Sequence, residues 1–285
     1  MTATEEAARI MAREARAVGV NWSFTPVLDI NAAWRSSIVA TRGYGSDCET
    51  IARHALPQIR VFQEEGIAAT AKHWPGEWHD DRDQHLVTTI NSLSMEDWEA
   101  THGRLYREAI DAGVMSVMTA HIALPAFARE VGQDDGADAY LPGSVSHPIN
   151  TTLLRERLGF NGLVVSDASR MAGLSSVMEA VDSKVQIIAS GGDVILFSLD
   201  FEAEMAGIRD ALHAGRITRE RFFDAVTRVL GLKAWAGLHR GDTLPALPDP
   251  ARNADQMAEL LHRAPVRKRT STPPCRWTQS ATGAC

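Results

Sequence analysis

Five short apolar stretches, separated by longer amphipathic ones, dominate the pattern of hydrophobic and polar positions along the chain. In each stretch, β-branched and large apolar residues cluster, and the stretch ends at a polar residue or a turn former, as a strand does. The predicted strands cover residues 21–30, 67–74, 114–122, 162–167 and 193–197. A Ser-x-x-Asp capping signature at Ser94 predicts a helix over residues 94–110, and apolar residues at helical spacing predict another over 218–232.

Strands that alternate with helices, and that read as near-continuous apolar runs, predict a parallel sheet covered by helices and hence an α/β protein. Both an open doubly wound sheet and a barrel fit this pattern. Polar groups close four of the five strands, at Asp29, Lys72 and His73, His121, and Asp167. Barrel enzymes build their sites from the ends of several strands, whereas an open sheet concentrates its site at one crevice. The pattern therefore favours a (β/α)8 TIM-type barrel, although only five of the eight strands of a closed barrel are visible.

The character of the chain changes near residue 240. Residues 241–250 contain three prolines, as a linker does, and a short helix is expected after them. The end of the chain carries four basic and no acidic side chains without an apolar period, which is typical of a disordered tail. The expected organisation is a partial barrel domain over residues 1–240, a linker and short helix over 241–264, and a disordered basic tail over 265–285.

Composition and charge argue against several function classes. With 29 basic against 36 acidic residues the net charge is −7, which disfavours a nucleic-acid or anionic-membrane binder because both partners attract a basic face. The sequence contains neither a run of about 18 apolar residues nor the pattern of a secretory signal. Three widely spaced cysteines without a CxxC motif disfavour a disulfide framework and a thiolate metal site. These features predict a cytoplasmic protein without nucleic-acid or membrane partners.

One stretch, KHWPGEWHDDRDQH at residues 72–85, is denser in acid–base groups than any other. It holds three histidines and four carboxylates, and Pro75 and Gly76 end regular structure at once, so the remainder is expected to be a loop over the strand ends. Catalytic groups concentrate in such loops. A solvated surface loop is the alternative, which Trp74 and Trp78 disfavour because exposed indoles without a ligand or partner are uncommon.

Two groups of residues in the sequence are candidates for the chemistry. In an extended loop Asp83 and His85 project to the same side, so Asp83 is expected to accept a hydrogen bond from His85, orient it and raise its basicity for proton transfer. An alternative interpretation takes His79, Asp83 and His85 as ligands of a divalent metal. The second centre is Asp167, which closes a buried strand before small residues and either faces a ligand or caps the following helix.

Several sequence blocks that contain these two centres occur in the order found in a known family. The blocks are PVLDI at residues 26–30, TRGYG at 41–45, KHWPG at 72–76, DQH at 83–85, VMTAHIALP at 117–125, LLRERLGFNGLVVSDASRM at 153–171 and GGDVIL at 191–196. From about Ala7 to Leu238 the chain resembles the barrel domain of glycoside hydrolase family 3, and specifically its bacterial β-N-acetylglucosaminidase branch.

The resemblance implies a retaining mechanism that passes through a glycosyl-enzyme intermediate. Asp167 matches the family nucleophile. His85 matches the residue that this branch uses as general acid and then general base, with Asp83 as its partner. An imidazole is suited to both roles because it can donate or accept a proton near neutral pH.

The resemblance also implies a substrate. Arg42, Lys72 and His73 match positions that hydrogen-bond sugar hydroxyls, whereas Asp29 and His121 are assigned structural roles at the strand ends. The implied substrate is a small carbohydrate with a terminal non-reducing β-linked N-acetylglucosamine, such as a cell-wall muropeptide or a chitooligosaccharide, which suggests cell-wall recycling. No cofactor and no metal are implied. Phosphate in place of water as the acceptor is an alternative, because an imidazole repels an incoming anion less than a carboxylate does.

The chain departs from the family pattern at both ends and within the loop. The first one or two βα units, including a block resembling D-x-E-G-G, have no counterpart before Asn21, and the second domain of two-domain relatives has none after about Ala264. The loop reads GEW where many relatives have GHG. An incomplete barrel is therefore expected, and an inactive fragment is the alternative to an active enzyme.

Overall fold

The computed structural model describes residues 2–33, 35–36, 38–78, 80–133, 136–241, 245–246 and 248–263. The chain falls into two compact units, Met1–Pro248 and Asp249–Cys285. In the first unit the strands are β1 (Trp22–Ser23), β2 (Ala68–Trp74), β3 (Thr89–Ile90), β4 (Ser116–Thr119), β5 (Ile122–Ala123), β6 (Leu163–Ala168) and β7 (Val194–Leu196). Its α-helices are α1 (Ala3–Ala17), α2 (Cys48–Glu64), α3 (Met95–Trp98), α4 (Arg104–Asp111), α5 (Pro125–Glu130), α6 (Ala172–Ser175), α7 (Ala180–Ala189), α8 (Phe201–His213) and α9 (Arg219–Trp235).

The second unit contains one helix within its described residues, α10 (Pro250–Arg263). The predicted basic tail, residues 265–285, lies outside the described residues, and the domain limits given above stay predictions. Within the described ranges, no helix is long and apolar enough to cross a lipid bilayer.

Side-chain caps explain where the two predicted helices begin. The Ser94 hydroxyl accepts a hydrogen bond from the N–H of Asp97 (3.1 Å), and the Thr218 hydroxyl accepts one from the N–H of Arg221 (3.1 Å). Both caps satisfy N–H groups that the first helical turn leaves without a helical partner. The helix predicted over residues 94–110 is divided, because a π-helical segment, Glu99–Gly103, lies between α3 and α4.

Five strands form one parallel sheet in the order β1-β2-β4-β6-β7. Within this sheet, each strand pairs with the sheet strand that precedes it in sequence, whereas the strand order of a doubly wound sheet reverses at a switch point. Strands β3 and β5 form a separate parallel pair. The sequential order is that of an incomplete barrel with five strands in the described part of the chain, so the barrel prediction is confirmed.

Apolar side chains pack on both faces of this sheet. On one face, Ile59 of α2 and Leu105 of α4 belong to the cluster that buries Ala71 of β2. On the other, Val229 of α9 packs against the cluster that contains Leu163 of β6. The strands are therefore held between helices, and their carboxyl ends form a rigid platform for the loops that follow them.

A buried carboxylate joins α9 to the sheet. Asp193, directly before β7, accepts hydrogen bonds from the backbone N–H of Val164 (2.8 Å) and from Nη2 of Arg155 (2.7 Å). Its other oxygen accepts Nη2 of Arg221, a residue of α9. The Asp193 side chain has no solvent exposure, so these donors must compensate for the loss of its hydration.

Replacement of Asp193 with alanine is expected to lower the free energy of unfolding by roughly 3 to 5 kcal/mol, because two partly buried guanidinium groups lose their shared carboxylate. Urea unfolding followed by circular dichroism measures the change. The matched control is Asp182→Ala, which removes an exposed ion pair with Arg216 and is expected to change stability by less than about 1 kcal/mol. A loss in the Asp193 variant no larger than in this control would contradict the assignment.

Candidate active site

Asp29 organises the floor of the candidate site. It is fully buried in the segment after β1, and its Oδ2 accepts a hydrogen bond from Nδ1 of His73 (2.6 Å). Its Oδ1 accepts the backbone N–H groups of His73 (3.1 Å) and Glu77 (3.0 Å). Burial alone would raise the pKa of Asp29, but the charge and hydrogen bond of His73 and these N–H groups hold it below its ordinary value. Asp29 therefore acts as a carboxylate that fixes the orientation of His73.

The predicted sugar-binding residues lie together above this floor. Nη2 of Arg42 is 3.5 Å from Nε2 of His73, the ring nitrogen that does not face Asp29. Burial and the Arg42 charge lower the pKa of Lys72, whereas the carboxylates of Asp167 and Asp29 oppose this shift, and the net pKa is below its ordinary value. Arg42, Lys72 and His73 therefore offer several hydrogen-bond donors in this part of the site.

Asp167 lies in β6, at the carboxyl end of the sheet, and is half-buried. Its Oδ1 accepts the N–H of Ala168 (2.7 Å). Helix α6 has Met171 as its N-cap residue and no side-chain cap, so the alternative that Asp167 caps the following helix is wrong. The side chain is available for chemistry at the mouth of the barrel.

Asp83 and His85 form the hydrogen-bonded pair that the sequence predicts, but in a different backbone conformation. Oδ1 of Asp83 accepts both Nδ1 of His85 (2.6 Å) and its backbone N–H (2.8 Å). The loop is not extended: the N–H groups of Leu86 and Val87 donate to the Asp83 carbonyl, which closes a turn. The His85 side chain is 54% exposed, so its Nε2 is the nitrogen available for proton exchange.

The loop that carries this pair is docked onto the segment that follows Asp167. The carbonyl of His85 accepts the N–H of Ala172 (2.9 Å), and the carbonyl of Gln84 accepts the N–H of Gly173 (3.2 Å). A Cβ atom at position 173 would lie 2.3 Å from the Gln84 carbonyl oxygen, so only glycine permits this approach. The loop of Asp83 and His85 is thereby joined to the segment that begins directly after Asp167.

His121 lies buried between the two centres. Its Nδ1 is 2.9 Å from the Ser144 hydroxyl and its Nε2 is 3.1 Å from the Ala168 carbonyl. Burial lowers the pKa of His121, the Asp167 carboxylate opposes this, and the charge of His85 lowers it further. His121 is therefore a neutral ring with both nitrogens engaged, and it supports the site without exchanging protons there.

Glu77 is a buried carboxyl of the same loop for which the sequence predicts no specific role. This side chain is 2% exposed, and its Oε1 accepts the hydroxyl of Thr89 (3.1 Å). Burial and the neighbouring Asp29 charge raise the pKa of Glu77 to about 8, against the opposing effect of the Thr89 hydrogen bond. Nothing in the sequence distinguishes this buried carboxyl from the other acidic residues of the same loop.

A raised pKa makes Glu77 a pH-dependent cost to folding. Because its folded pKa of about 8 exceeds the ordinary value of 4.5, the folded state binds a proton that the unfolded state releases, and stability falls as pH rises from about 4.5 to about 8. Glu77→Gln is therefore expected to stabilise the protein on the order of 3 kcal/mol at pH 7, and much less at pH 5. Chemical denaturation at both pH values measures this. A stability gain that is equal at the two would contradict the buried, protonated carboxyl.

Both indoles, which disfavoured a solvated loop in the sequence, have packing partners within the protein. Trp74 is fully buried, and its ring centroid lies 4.7 Å from that of Tyr106 in an edge-on contact. Trp78 is half-buried and packs edge-on against His102 (5.8 Å). The two tryptophans therefore stabilise the base of the loop.

The metal alternative receives no support from the described residues. Among them, no group of three or more His, Cys, Asp and Glu side chains could hold a metal ion. His79, one of the three suggested ligands, lies outside the described residues. The other two, Asp83 and His85, are hydrogen-bonded to each other through Nδ1.

Comparison with known proteins decides the family. Residues 1–232 match the glycosyl hydrolase family 3 N-terminal domain. The chain belongs to glycosyl hydrolase family 3. A relative from Cellulomonas fimi, a β-N-acetylglucosaminidase/β-glucosidase, is 45% identical over 254 residues, which are 87% of this chain and 45% of the relative. A β-hexosaminidase from Methylobacillus flagellatus is 30% identical over 192 residues, 67% of this chain and 52% of the relative.

Two solved structures share the fold of this family 3 chain. A β-glucoside phosphorylase matches with a TM-score of 0.86 at 34% identity, over 90% of this chain and 47% of that one. A family 3 β-N-acetylglucosaminidase from Paenibacillus sp. str. FPU-7 matches with a TM-score of 0.81 at 32% identity, over 90% and 48%. The chain thus spans about half the length of the relatives it matches. The predicted family and the predicted barrel-type fold are confirmed.

Proposed function

We propose that this family 3 domain removes terminal non-reducing β-linked N-acetylglucosamine by a retaining double displacement. The observation that carries the proposal is the Asp83–His85 pair, docked by backbone hydrogen bonds onto the segment that follows Asp167. A carboxylate and a separate acid–base group are the two parts that retaining catalysis requires. The names of the relatives from Cellulomonas fimi and Paenibacillus support the same reaction class.

In the first step, protonated His85 donates its Nε2 proton to the glycosidic oxygen while Asp167 attacks the anomeric carbon. The carbon–oxygen bond to the leaving group breaks, and a covalent bond to Asp167 forms. Asp83, which accepts the Nδ1 proton of His85, stabilises the positive charge that the ring carries before the transfer.

In the second step, neutral His85 takes a proton from water through Nε2, and the water displaces Asp167 from the anomeric carbon. Arg42, Lys72 and His73 bind the sugar hydroxyls through both steps. Two inversions at one carbon return the β-configuration of the substrate in the product.

The proposed substrates are cell-wall muropeptides and chitooligosaccharides, and the proposed setting is cytoplasmic cell-wall recycling. A small carbohydrate is the only partner that the proposal requires: no cofactor, nucleic acid or membrane takes part. The Cellulomonas fimi relative is also named a β-glucosidase, so β-glucosides belong in the same test.

Phosphorolysis is the second candidate. Two observations favour it: the solved β-glucoside phosphorylase resembles this chain at a TM-score of 0.86, and the acid–base group is an exposed imidazole. A neutral imidazole does not repel an incoming phosphate as a carboxylate would. In this reaction phosphate replaces water in the second step and a sugar 1-phosphate leaves.

The test is hydrolysis of a chromogenic aryl β-N-acetylglucosaminide and of the matching β-glucoside, each with and without phosphate. We expect turnover of the N-acetylglucosaminide, with the β-anomer as the first product in the proton NMR spectrum. Faster turnover with phosphate, together with a sugar 1-phosphate product, would select phosphorolysis. The α-anomer as first product would overturn the retaining mechanism. Absence of turnover with every substrate and acceptor would favour the inactive fragment.

A further inference from the structure

Phe197, the first residue after β7, has a backbone conformation that a bulky side chain rarely adopts. Its φ is +64°, in the left-handed region that favours glycine. Such a conformation costs free energy and persists only where the surroundings impose it, which is frequent at ligand-binding sites.

Hydrogen bonds on both sides impose this conformation. The Ser169 hydroxyl donates to the Phe197 carbonyl (2.5 Å), and the Ser169 N–H donates to the Leu196 carbonyl (3.0 Å). Beyond Phe197, the N–H of Leu199 donates to Oε1 of Glu204 (3.1 Å), whose carboxylate lies 3.5 Å from Nζ of the fully buried Lys184. The loop after β7 is therefore fixed at both ends.

This fixed loop presents an aromatic ring to solvent, next to the strand that carries the proposed nucleophile. Phe197 is 55% exposed, although a large aromatic side chain contributes most to stability when it is buried. Its strand pairs Leu196 with Ala168, the neighbour of Asp167. The segment 168–173 contacts Phe197 through Ser169 at one end and the loop of His85 at the other. Phe197 and the loop of His85 thus contact the same short segment, which begins directly after Asp167.

We propose that Phe197 is the binding platform for the leaving group, and that it selects leaving groups with an apolar face. The ring would stack on an aryl group or on the C–H face of a second sugar ring, which share this chemistry. The proposal rests on the proposed function, because it requires that glycosides bind at Asp167. In this interpretation the positive φ of Phe197 lowers the stability of the protein, and in return the ring is held in a fixed position for binding.

The decisive variant is Phe197→Gly, which removes the ring and at the same time relieves the positive φ. We expect its melting temperature to equal or exceed that of the parent protein, while its KM for phenyl β-N-acetylglucosaminide rises about tenfold, the scale of one aromatic contact. Its KM for methyl β-N-acetylglucosaminide should be unchanged. The matched control is Phe201→Ala, since Phe201 is 68% exposed four residues further along the chain and should affect neither substrate.

Binding to the Asp167→Ala protein separates this proposal from the proposed function, because it requires no turnover. Calorimetry with phenyl β-N-acetylglucosaminide, N,N′-diacetylchitobiose and N-acetylglucosamine should show that adding Phe197→Gly weakens the first two and spares the third. Weaker binding of the phenyl ligand alone would support a platform for aryl groups. Weaker binding of both the phenyl ligand and the disaccharide would support a platform that also accepts a sugar ring. An equal loss for all three ligands, no loss for any, or no binding of the phenyl ligand to Asp167→Ala would overturn the proposal. If the parent protein is inactive but binding depends on Phe197, only the proposed function fails.

Discussion

Replacement of Asp167 with alanine is expected to lower kcat/KM for an aryl β-N-acetylglucosaminide by about 10⁴-fold or more, the scale at which loss of a catalytic group leaves only binding and electrostatic contributions. In the proposed mechanism this carboxylate forms the bond to the anomeric carbon, and no other described residue of the site is assigned that role. Initial rates measure the loss. Asp182→Ala, at an exposed carboxylate, is the matched control and should retain full activity.

Azide gives the sharper version of this test. In Asp167→Gly the small anion fits the space left by the side chain and attacks the anomeric carbon from the side that the carboxylate used. The product should be the α-glycosyl azide, since a single inversion takes place. Unchanged turnover in Asp167→Ala, or a β-glycosyl azide from Asp167→Gly, would remove Asp167 from the role of nucleophile.

The convergence of the site residues was predictable because it follows from topology. Asp29, Lys72, His73 and Asp167 each lie at or just beyond the carboxyl end of an apolar stretch, and parallel strands bring those ends to one face. The strand pattern is local and is readable in a single sequence. The sequential strand order then makes neighbours in sequence into neighbours in space.

The local conformations around the site were less predictable, because they depend on contacts between distant segments. The Asp83–His85 pair could be predicted from its spacing, but the turn that holds it depends on N–H groups further along the loop donating to the Asp83 carbonyl. The close approach of Gly173 to Gln84 joins two loops that are far apart in sequence. No local pattern records such a contact.

The burial of individual side chains is the property that the sequence pattern predicts least well. Glu77 and Trp78 are adjacent in a stretch of polar residues, yet one carboxyl is almost fully buried and one indole packs on His102. Acidic residues are usually exposed, so a buried one becomes visible only once its partners Asp29 and Thr89 are placed. Phe197 is the opposite case: phenylalanine is usually buried, yet this side chain is largely exposed.

His85→Ala is expected to reduce kcat/KM by an amount that grows with the difficulty of the leaving group. For a chitooligosaccharide, whose leaving group requires a proton, a loss of about 10² to 10⁴-fold is expected. A dinitrophenyl glycoside leaves without protonation, so its first step should persist while hydrolysis of the intermediate becomes slow. Azide requires no general base, so it should restore turnover of the dinitrophenyl glycoside by His85→Ala. The product should be the β-glycosyl azide. Equal losses for both leaving groups would contradict the acid role.

The Asp83→Asn variant tests the orientation and protonation of His85 while the His85 side chain itself is kept. Asparagine keeps the size of the side chain, but its amide can donate to Nδ1, which moves the ring proton to Nε2 and leaves the neutral ring unable to accept a proton there. We therefore expect Asp83→Asn to slow the second step for dinitrophenyl glycosides nearly as much as His85→Ala, and azide to rescue both. Asp81→Asn, at an exposed carboxylate of the same loop, is the control and should behave as the parent protein. If Asp83→Asn behaved as this control does, Asp83 would not determine which ring nitrogen of His85 carries the proton. The Asp83–His85 hydrogen bond would then have only a structural role.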